Sequence, residues 1–337
     1  MVTKNVGIDL GYGFVKATDG DKEYVFPSVV GSGRDLKYRS ELSRPLQSQG
    51  LDSLVVTLEG RKYFVGELAI RQSEIASRSL DQNRVEDKNT RVLLYTTLAL
   101  FSQWEQQSFN IVTGLPTVHY SSYRDAWVNS LHGSQTVRFL AGGEEKERTI
   151  SIEKVRVVPQ PFGTLYDRVL NNIGNVVDTD LTRLTVGIVD VGFKTSDFAV
   201  SDGLEYIERL SSSTSTGLSS AYGMIAERLR EEFRINKENY ELDEIISRSQ
   251  IRIAGKPYDI SNIKREAFER VAAKIITELE SLWDYRSMDV ILLTGGGGQA
   301  LSEYLLPRFN NAFLVDGAQS ANTRGYLKLA NNIFRNE

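Results

Sequence analysis

The chain has 337 residues, 41% of them hydrophobic, and a formal charge of −4 from 40 Lys and Arg against 44 Asp and Glu. A chain of this length exceeds the size at which one hydrophobic core stops growing, so two lobes are expected. The acidic balance argues against a surface that neutralises nucleic-acid phosphates, and direct DNA binding is not expected. The absence of cysteine excludes disulfides, thiolate nucleophiles and sulfur-ligated metals, and it fits a reducing compartment.

A histidine-ligated metal site and a membrane-spanning segment are also disfavoured. His119 and His132, the only histidines, lack the i, i+4 spacing of a helical zinc site. The N-terminus has no apolar run of signal-peptide length, and no stretch approaches the length of a membrane span. We therefore expect a soluble cytoplasmic protein with no membrane partner.

The N-terminal third alternates apolar and polar residues in a way that predicts a β-meander, with strands near residues 6, 14 and 24. The polar stretch 31–52 is interpreted as an exposed insertion, and strands resume at 53–58 and 62–66. A helical pattern begins near Asn89 and is followed by a strand over 110–116.

Four later helices are predicted from apolar stripes at helical spacing. They cover about 162–173, 218–233 and 263–282, and a last one runs from Ser320, a predicted N-cap, towards the C-terminus. The stripes are interpreted as core packing. Alternation of helices and strands predicts an α/β fold.

The first candidate site is VGIDLGYGFVKAT, residues 6–18. Dinucleotide fingerprints and Walker loops require a helix after their glycines, whereas F-V-K-A-T alternates like a strand. The predicted geometry is therefore strand, tight turn, strand.

Such a turn suits a phosphate. Gly11 and Gly13, on either side of Tyr12, permit positive φ and close approach, so that backbone N–H groups converge on an anion. Asp9 fits an outer ligand of Mg²⁺, which keeps its waters, and Lys16 would offset phosphate charge. For this stretch alone, an ordinary glycine hairpin remains the alternative.

The same pattern recurs at residues 186–200, VGIVDVGFKTSDFAV, where Asp190 and Gly192 precede another strand. A matched pair in opposite halves of the chain predicts one nucleotide between two lobes. Asp9 and Asp190 would then bracket a single metal ion, through water, and take part in catalysis. The second turn contributes the remaining predicted phosphate contacts: Phe193, Lys194 and Thr195.

A third element, DVILLTGGGGQAL, is a buried-type strand that leads into four glycines. They are Gly295, Gly296, Gly297 and Gly298. Glycine lets a flat base lie against the backbone, and ligands of α/β folds bind at the carboxyl ends of strands. By its position in the order the run is interpreted as adenosine-binding; by itself it would be a flexible loop.

These three elements, in this order, resemble the two phosphate motifs and the adenosine motif of the actin superfamily, which includes actins, DnaK-type chaperones, sugar kinases and bacterial filament proteins. The resemblance implies an actin-like α/β fold of two lobes, each a mixed β-sheet flanked by helices. It also implies ATP or GTP with Mg²⁺ in the cleft between the lobes. Lobe I would be 1–158 with an insertion at about 31–88, completed by the C-terminal helix 320–337, and lobe II would be 159–319.

Two further residues follow from the resemblance. Gln160, in V-V-P-Q-P-F-G, falls where actins place the glutamine that orients the hydrolytic water, and Pro159 and Pro161 would hold it out of regular helix. A neutral amide positions water without accepting its proton, so hydrolysis should be slow. Gly217 falls where the family places a glycine near the ribose; a plain helix-start glycine is the equal alternative.

Within the superfamily, the length leaves no room for the peptide-binding domain of a DnaK-type chaperone. Sugar kinases need an aspartate as general base, but Gln160 stands in that region, and neither Asp167 nor Asp197 has a supporting motif. Length, the polar insertion and the run I-V-T-G-L-P-T resemble the ParM and StbA group and archaeal actin-like proteins. The resemblance implies an ATP-dependent homopolymer that segregates plasmid DNA through a small DNA-binding adaptor protein.

Two alternatives share the fold: a small-molecule, sugar-type kinase and a regulatory nucleotide-binding protein that does not polymerise. One departure from the family stands out, because many relatives have a second glycine soon after Gly192. This chain has Phe193 and Lys194 there. Left-handed geometry would cost either residue about 1 kcal/mol or more, so a different turn shape is expected. Lys194 is hypothesised to bring positive charge to the terminal phosphate.

Overall fold

The computed structural model describes residues 2–34, 51–73, 76–78, 87–141 and 144–335. Contacts divide the chain into two compact units. Unit 1 comprises Met1–Leu115, His119–Val177 and Asn322–Glu337, and unit 2 comprises Pro116–Val118 and Asp178–Ala321. Residues 159–177 thus group with unit 1, whereas the sequence-based division ends lobe I at residue 158; that domain division stays a prediction.

Helices and strands alternate through the described part of the chain. The α-helices are α1 (Glu67–Gln72), α2 (Lys88–Phe101), α3 (Thr117–Leu131), α4 (Phe162–Val169), α5 (Leu218–Phe233), α6 (Asp243–Arg248), α7 (Ser261–Leu282), α8 (Gly295–Leu305) and α9 (Ala321–Ile333). The strands are β1 (Lys4–Leu10), β2 (Phe14–Thr18), β3 (Glu23–Pro27), β4 (Val29–Ser32), β5 (Val55–Leu58), β6 (Arg61–Val65), β7 (Ala76–Arg78), β8 (Gln106–Leu115), β9 (Gly133–Ala141), β10 (Glu144–Pro159), β11 (Thr185–Val191), β12 (Ser196–Asp202), β13 (Glu205–Tyr206), β14 (Ser212–Thr214), β15 (Gln250–Ile253), β16 (Lys256–Asp259), β17 (Val290–Thr294) and β18 (Ala312–Leu314).

Unit 1 is built on one sheet with the strand order β3-β2-β1-β8-β10-β9-β5-β6-β4-β7. Strands β1, β2 and β3 form the predicted antiparallel meander, and β1 pairs in parallel with β8 on its other side. Apolar residues of these strands and of α2 form its core. The carboxyl ends of β1 and β8 therefore lie at the same edge of the sheet.

Unit 2 repeats this arrangement. Its main sheet has the order β13-β12-β11-β17-β18, with β14 also paired to β12. Strand β11 pairs antiparallel with β12 and parallel with β17, as β1 does with β2 and β8. Helices α5, α7 and α8 supply much of the core that packs with this sheet. The predicted α/β architecture is confirmed, and it contains an internal structural repeat.

Most predicted helices are confirmed, with one correction. The helix predicted over 162–173 ends at Val169, and Ile173 is 54% exposed rather than part of a core stripe. The chain turns because Leu170 forms a β-bridge with Val176, and the Asn171 carboxamide oxygen accepts the N–H of Ile173. Asn171 can cap local N–H groups in this way because its side chain is short and polar.

The predicted insertion lies only partly within the described residues. Residues 35–50 fall outside them, while residues 31 and 32 complete β4. Residues 51–73 contain β5, β6 and α1, which belong to the main body of unit 1. The strands predicted at 53–58 and 62–66 are confirmed as β5 and β6.

Helices α4 and α9 approach each other closely within unit 1. A Cβ on Gly325 of α9 would overlap the carbonyl oxygen of Gly163 in α4. The same pair of helices is joined by polar contacts, since Arg324 Nη2 and Lys328 Nζ lie 2.6 and 2.8 Å from the carboxylate oxygens of Asp167. The two helices therefore form one rigid element.

Gly325→Ala should lower the free energy of unfolding by about 2 kcal/mol or more, because the added methyl group would force α4 and α9 apart. Gly223→Ala is the matched control. Gly223 also lies inside a helix, but a Cβ there would have no neighbouring atom within 4 Å. The control should be neutral or more stable by about 0.5–1 kcal/mol, as alanine favours helix over glycine. Chemical denaturation of both variants measures the difference, and equal stabilities would refute the close contact.

Candidate nucleotide-binding turns

The first turn carries an ion pair between a buried aspartate and a partly buried lysine. Asp9 near the end of β1 is directly opposite Lys16 on β2, and Lys16 Nζ lies 3.8 Å from Asp9 Oδ2. Asp9 is only 4% exposed. A buried carboxylate of this kind needs a compensating charge, which Lys16 supplies within unit 1. The two predicted residues are thus brought together by strand register.

In the first turn, close approach explains Gly11, and positive φ explains neither Gly11 nor Gly13. In the described part of the chain, neither Gly11 nor Gly13 is among the glycines with positive φ, so that expectation was wrong. A Cβ on Gly11 would lie 2.7 Å from the carbonyl oxygen of Phe14, closer than real Cβ atoms approach. The turn folds back on itself too tightly for a side chain at this position.

Ser28, which the sequence reasoning missed, fixes the peptide planes of this turn. Its hydroxyl donates to the carbonyl of Gly11 at 2.6 Å, and its N–H donates to the carbonyl of Gly13 at 3.0 Å. In a trans peptide the N–H that follows points opposite to the carbonyl. Ser28 therefore directs the N–H groups of Tyr12 and Phe14 away from itself, as a phosphate-binding turn requires.

The second turn has the same local geometry. The N–H of Gly192 donates to the carbonyl of Thr195 at 2.9 Å, and a Cβ on Gly192 would lie 3.1 Å from that oxygen. The described residues with positive φ include none of Gly192, Phe193 and Lys194. The turn therefore accommodates Phe193 and Lys194 without the left-handed strain that their positions suggested.

Helix α5 buttresses this turn. The Phe193 ring packs edge-on against Tyr222 of α5, with centroids 5.3 Å apart. The N–H groups of Leu218 and Ser219, at the start of α5, donate to the carbonyls of Gly192 and Phe193. Two helix-start N–H groups are thus satisfied by the turn itself.

Gly217 stands at the junction between this helix and the turn. A Cβ there would lie 2.6 Å from the Phe193 carbonyl oxygen. The residue is the N-cap of α5, with an extended backbone at φ −143°. Its glycine identity is explained by close packing, and contact with a ribose stays a prediction.

The four-glycine run forms the first turn of α8 rather than a loop. Gly295 has φ +85°, and a Cβ on it would overlap a carboxylate oxygen of Asp190. A Cβ on Gly297 would lie 2.9 Å from the carbonyl oxygen of Gly192. The run therefore packs directly on the second turn of its own unit, where β11 and β17 end side by side. Gly296 is only partly buried, unlike Gly295, Gly297 and Gly298, and the predicted adenosine contact stays a prediction.

Gln160 lies between β10 and α4, outside regular structure, as its flanking prolines predicted. Its N–H donates to the carbonyl of Leu115 at 2.7 Å, and its carbonyl accepts the hydroxyl of Tyr326 at 2.9 Å. Tyr326 is a second residue that the sequence reasoning missed. The role of Gln160 in orienting water stays a prediction.

The two aspartates considered as kinase bases, Asp167 and Asp197, both form ion pairs or hydrogen bonds with other side chains and backbone groups. Asp167 pairs with Arg324 and Lys328 of α9. Asp197 is 1% exposed; it accepts the N–H of Thr117 at 2.9 Å and the hydroxyl of Ser213 at 2.5 Å. A general base must be within reach of a substrate proton, and these contacts occupy both carboxylates.

The side chains near the turns also determine which metal ion could bind there. Among the described residues, no cluster of three or more His, Cys, Asp and Glu side chains is arranged to hold one. Each unit offers one buried carboxylate at its own turn, Asp9 in unit 1 and Asp190 in unit 2. A turn with a single carboxylate fits Mg²⁺, which keeps several waters and binds through few carboxylates together with substrate phosphates.

Two family models match the chain. Residues 7–163 match the actin-like protein N-terminal domain, and residues 188–306 match the C-terminal domain of the MreB-like archaeal actin homologue. The chain belongs to the actin-like proteins. The predicted actin-like α/β fold is therefore confirmed. No curated protein sequence matches the chain significantly.

Solved actin-like structures cover nearly the whole chain. A 15-stranded ParM filament from Clostridium botulinum is 26% identical with a TM-score of 0.82, covering 97% of this chain and 99% of that one. A non-polymerisable quadruple mutant of pCBH ParM is 25% identical with a TM-score of 0.79, covering 98% and 99%. An archaeal actin homologue in complex with ADP is 18% identical with a TM-score of 0.80, covering 97% and 99%, and shows the fold alone.

The helices of the described ranges differ from membrane spans. None of them combines the length and apolar character needed to cross a bilayer.

Ser28→Ala should weaken the binding of a nucleoside triphosphate about fivefold, because the Gly11 carbonyl would lose a buried hydrogen bond and the turn its fixed orientation. Ser102→Ala is the matched control: its hydroxyl donates to the Ala99 carbonyl at 2.7 Å, in the same unit but at the end of α2. Titration with a fluorescent ATP analogue measures both affinities. If the two variants bind equally well, Ser28 does not organise the turn.

Proposed function

We propose that this actin-like protein is an ATPase that polymerises into filaments with Mg-ATP, or Mg-GTP, and hydrolyses the nucleotide to time filament disassembly. The observation that carries the proposal is the duplicated turn. In each unit a buried aspartate is the last residue but one of a strand, a glycine turn follows, and the next strand returns beside it. A nucleoside triphosphate offers the phosphates that two such turns would bind.

The residues divide the chemistry among themselves. The two turns bind phosphate through backbone N–H groups, with positive charge from Lys16 and Lys194. Asp9 and Asp190 would hold Mg²⁺ through water, and the ion would neutralise phosphate charge. Gln160 orients the attacking water. Because an amide does not accept the proton, we expect slow hydrolysis, suited to a timer.

The comparisons support the self-assembly and the nucleotide-binding parts of this proposal. A ParM relative, 26% identical to this chain, has been solved as a filament, and an actin homologue of the same fold has been solved with ADP. We propose that the filament moves plasmid DNA through a small DNA-binding adaptor protein. The net charge of −4 supports an adaptor over direct DNA contact.

Purified protein should form filaments above a threshold concentration when Mg-ATP is added, because nucleotide binding would favour the polymerising conformation. Negative-stain electron microscopy and high-speed pelleting with Mg-ATP, with Mg-ADP and without nucleotide measure this. Nucleotide hydrolysis without polymer at any concentration would point instead to a non-polymerising enzyme. Absence of both would contradict the proposal.

Gln160→Ala should leave the affinity for a non-hydrolysable ATP analogue unchanged within about twofold and slow phosphate release at least about tenfold, because misplaced water loses its attack geometry. Asp9→Ala and Asp190→Ala should each weaken Mg-dependent binding instead. Calorimetric titration and a phosphate-release assay separate the two classes. Equal loss of binding in all three variants would show that Gln160 has been misassigned.

A further inference from the structure

Both backbone polar groups of Gln160 are held by fixed partners in unit 1. The N–H donates to Leu115 at the end of β8, and the carbonyl accepts both the Gly163 N–H at 3.2 Å and the Tyr326 hydroxyl at 2.9 Å. The hydrogen bond from Tyr326 joins residues that are far apart in the sequence, since Tyr326 lies on α9. No local sequence pattern predicts this contact between α9 and the segment before α4.

The packing around Tyr326 holds its side chain in one position. It is fully buried, and glycines border its ring and hydroxyl. A Cβ on Gly114 would overlap the Tyr326 hydroxyl oxygen, and a Cβ on Gly163 would lie 2.5 Å from a ring carbon. Side chains at these two positions would therefore exclude the tyrosine. The ring has little freedom to move its hydroxyl away from Gln160.

Helix α9 is itself tied to the helix that follows Gln160. The Asn322 carboxamide oxygen accepts the N–H and the hydroxyl of Thr164, and Arg324 pairs with Asp167. Tyr326 thus belongs to a rigid element that includes α4. Any displacement of Gln160 relative to α4 must break the tyrosine bond.

We infer that Tyr326 is a positioning residue for hydrolysis: its hydroxyl fixes the backbone of Gln160 and thereby the site from which the glutamine side chain orients water. The inference rests on the proposed function of Gln160. On this inference Tyr326 acts through the Gln160 carbonyl, which accepts its hydroxyl. Its removal should therefore lower the rate of the chemical step without changing nucleotide affinity.

Tyr326→Phe tests this with little change in packing, since only the hydroxyl is lost. Tyr24→Phe is the matched control, because the Tyr24 hydroxyl also donates to a backbone carbonyl from a buried position, to Leu100 at 3.2 Å. Steady-state phosphate release at varied Mg-ATP gives kcat and KM, binding of a non-hydrolysable ATP analogue gives affinity, and thermal melting reports stability. Gln160→Ala serves as the reference for a lost water-orienting group.

We expect Tyr326→Phe to lower kcat about fivefold, with KM and analogue affinity unchanged within about twofold. Tyr24→Phe should lower the melting temperature by a similar amount and leave kcat unchanged. Equal kcat values in the two tyrosine variants would overturn the inference while leaving the ATPase proposal intact. A wild-type chain with no hydrolysis, or a Gln160→Ala variant at full rate, would overturn the proposed function instead.

Discussion

Close approach of backbone to backbone is the constraint on which both turns depend. At Gly11 and Gly217 a Cβ would lie 2.7 and 2.6 Å from a carbonyl oxygen, so only glycine permits the observed path, and at Gly192 the corresponding distance is a tight 3.1 Å. At Gly295 the obstacle is the carboxylate of Asp190. The reason for these glycines is therefore proximity more often than left-handed geometry. A turn packed in this way has few alternative conformations, which suits a site that must present N–H groups in fixed directions.

Close approach at glycine also shapes the packing of the C-terminal helix α9. Tyr326 occupies space that Gly114 and Gly163 leave open, and its hydroxyl reaches the carbonyl of Gln160. The position of Gln160 is thus determined by three segments: the end of β8, the start of α4 and the middle of α9. The backbone geometry of Gln160 thus depends on packing between segments that are distant in the sequence.

The sequence predicted the helices, strands and turns that depend on residues close together in the chain. Apolar periodicity predicted α2, α5, α7 and the meander, and the recurrence of an aspartate, one residue and a glycine predicted the duplicated turn. Helix α3 was missed because Trp127 and Leu131 are its few fully buried apolar residues, and its first N–H is accepted by Asp197, far along the chain. A cap supplied by tertiary structure leaves no local signal. For the same reason, Ser28 and Tyr326 escaped notice, since each acts on a carbonyl in another segment.

The duplication of the turns also conceals an electrostatic difference. In unit 1 the residue opposite Asp9 is Lys16, so the buried carboxylate is paired with a partly buried cation. In unit 2 the residue opposite Asp190 is Asp197, and directly opposed residues on antiparallel strands share one face of the sheet.

Two buried carboxylates on one face repel each other unless other groups stabilise them. Asp197 obtains that stabilisation from the first N–H of α3 and from the hydroxyl of Ser213. These two hydrogen bonds within unit 2 offset a cost that Lys16 removes in the first turn. The two turns are alike in backbone and unlike in charge balance, and only the first carries its own cation at the opposed position.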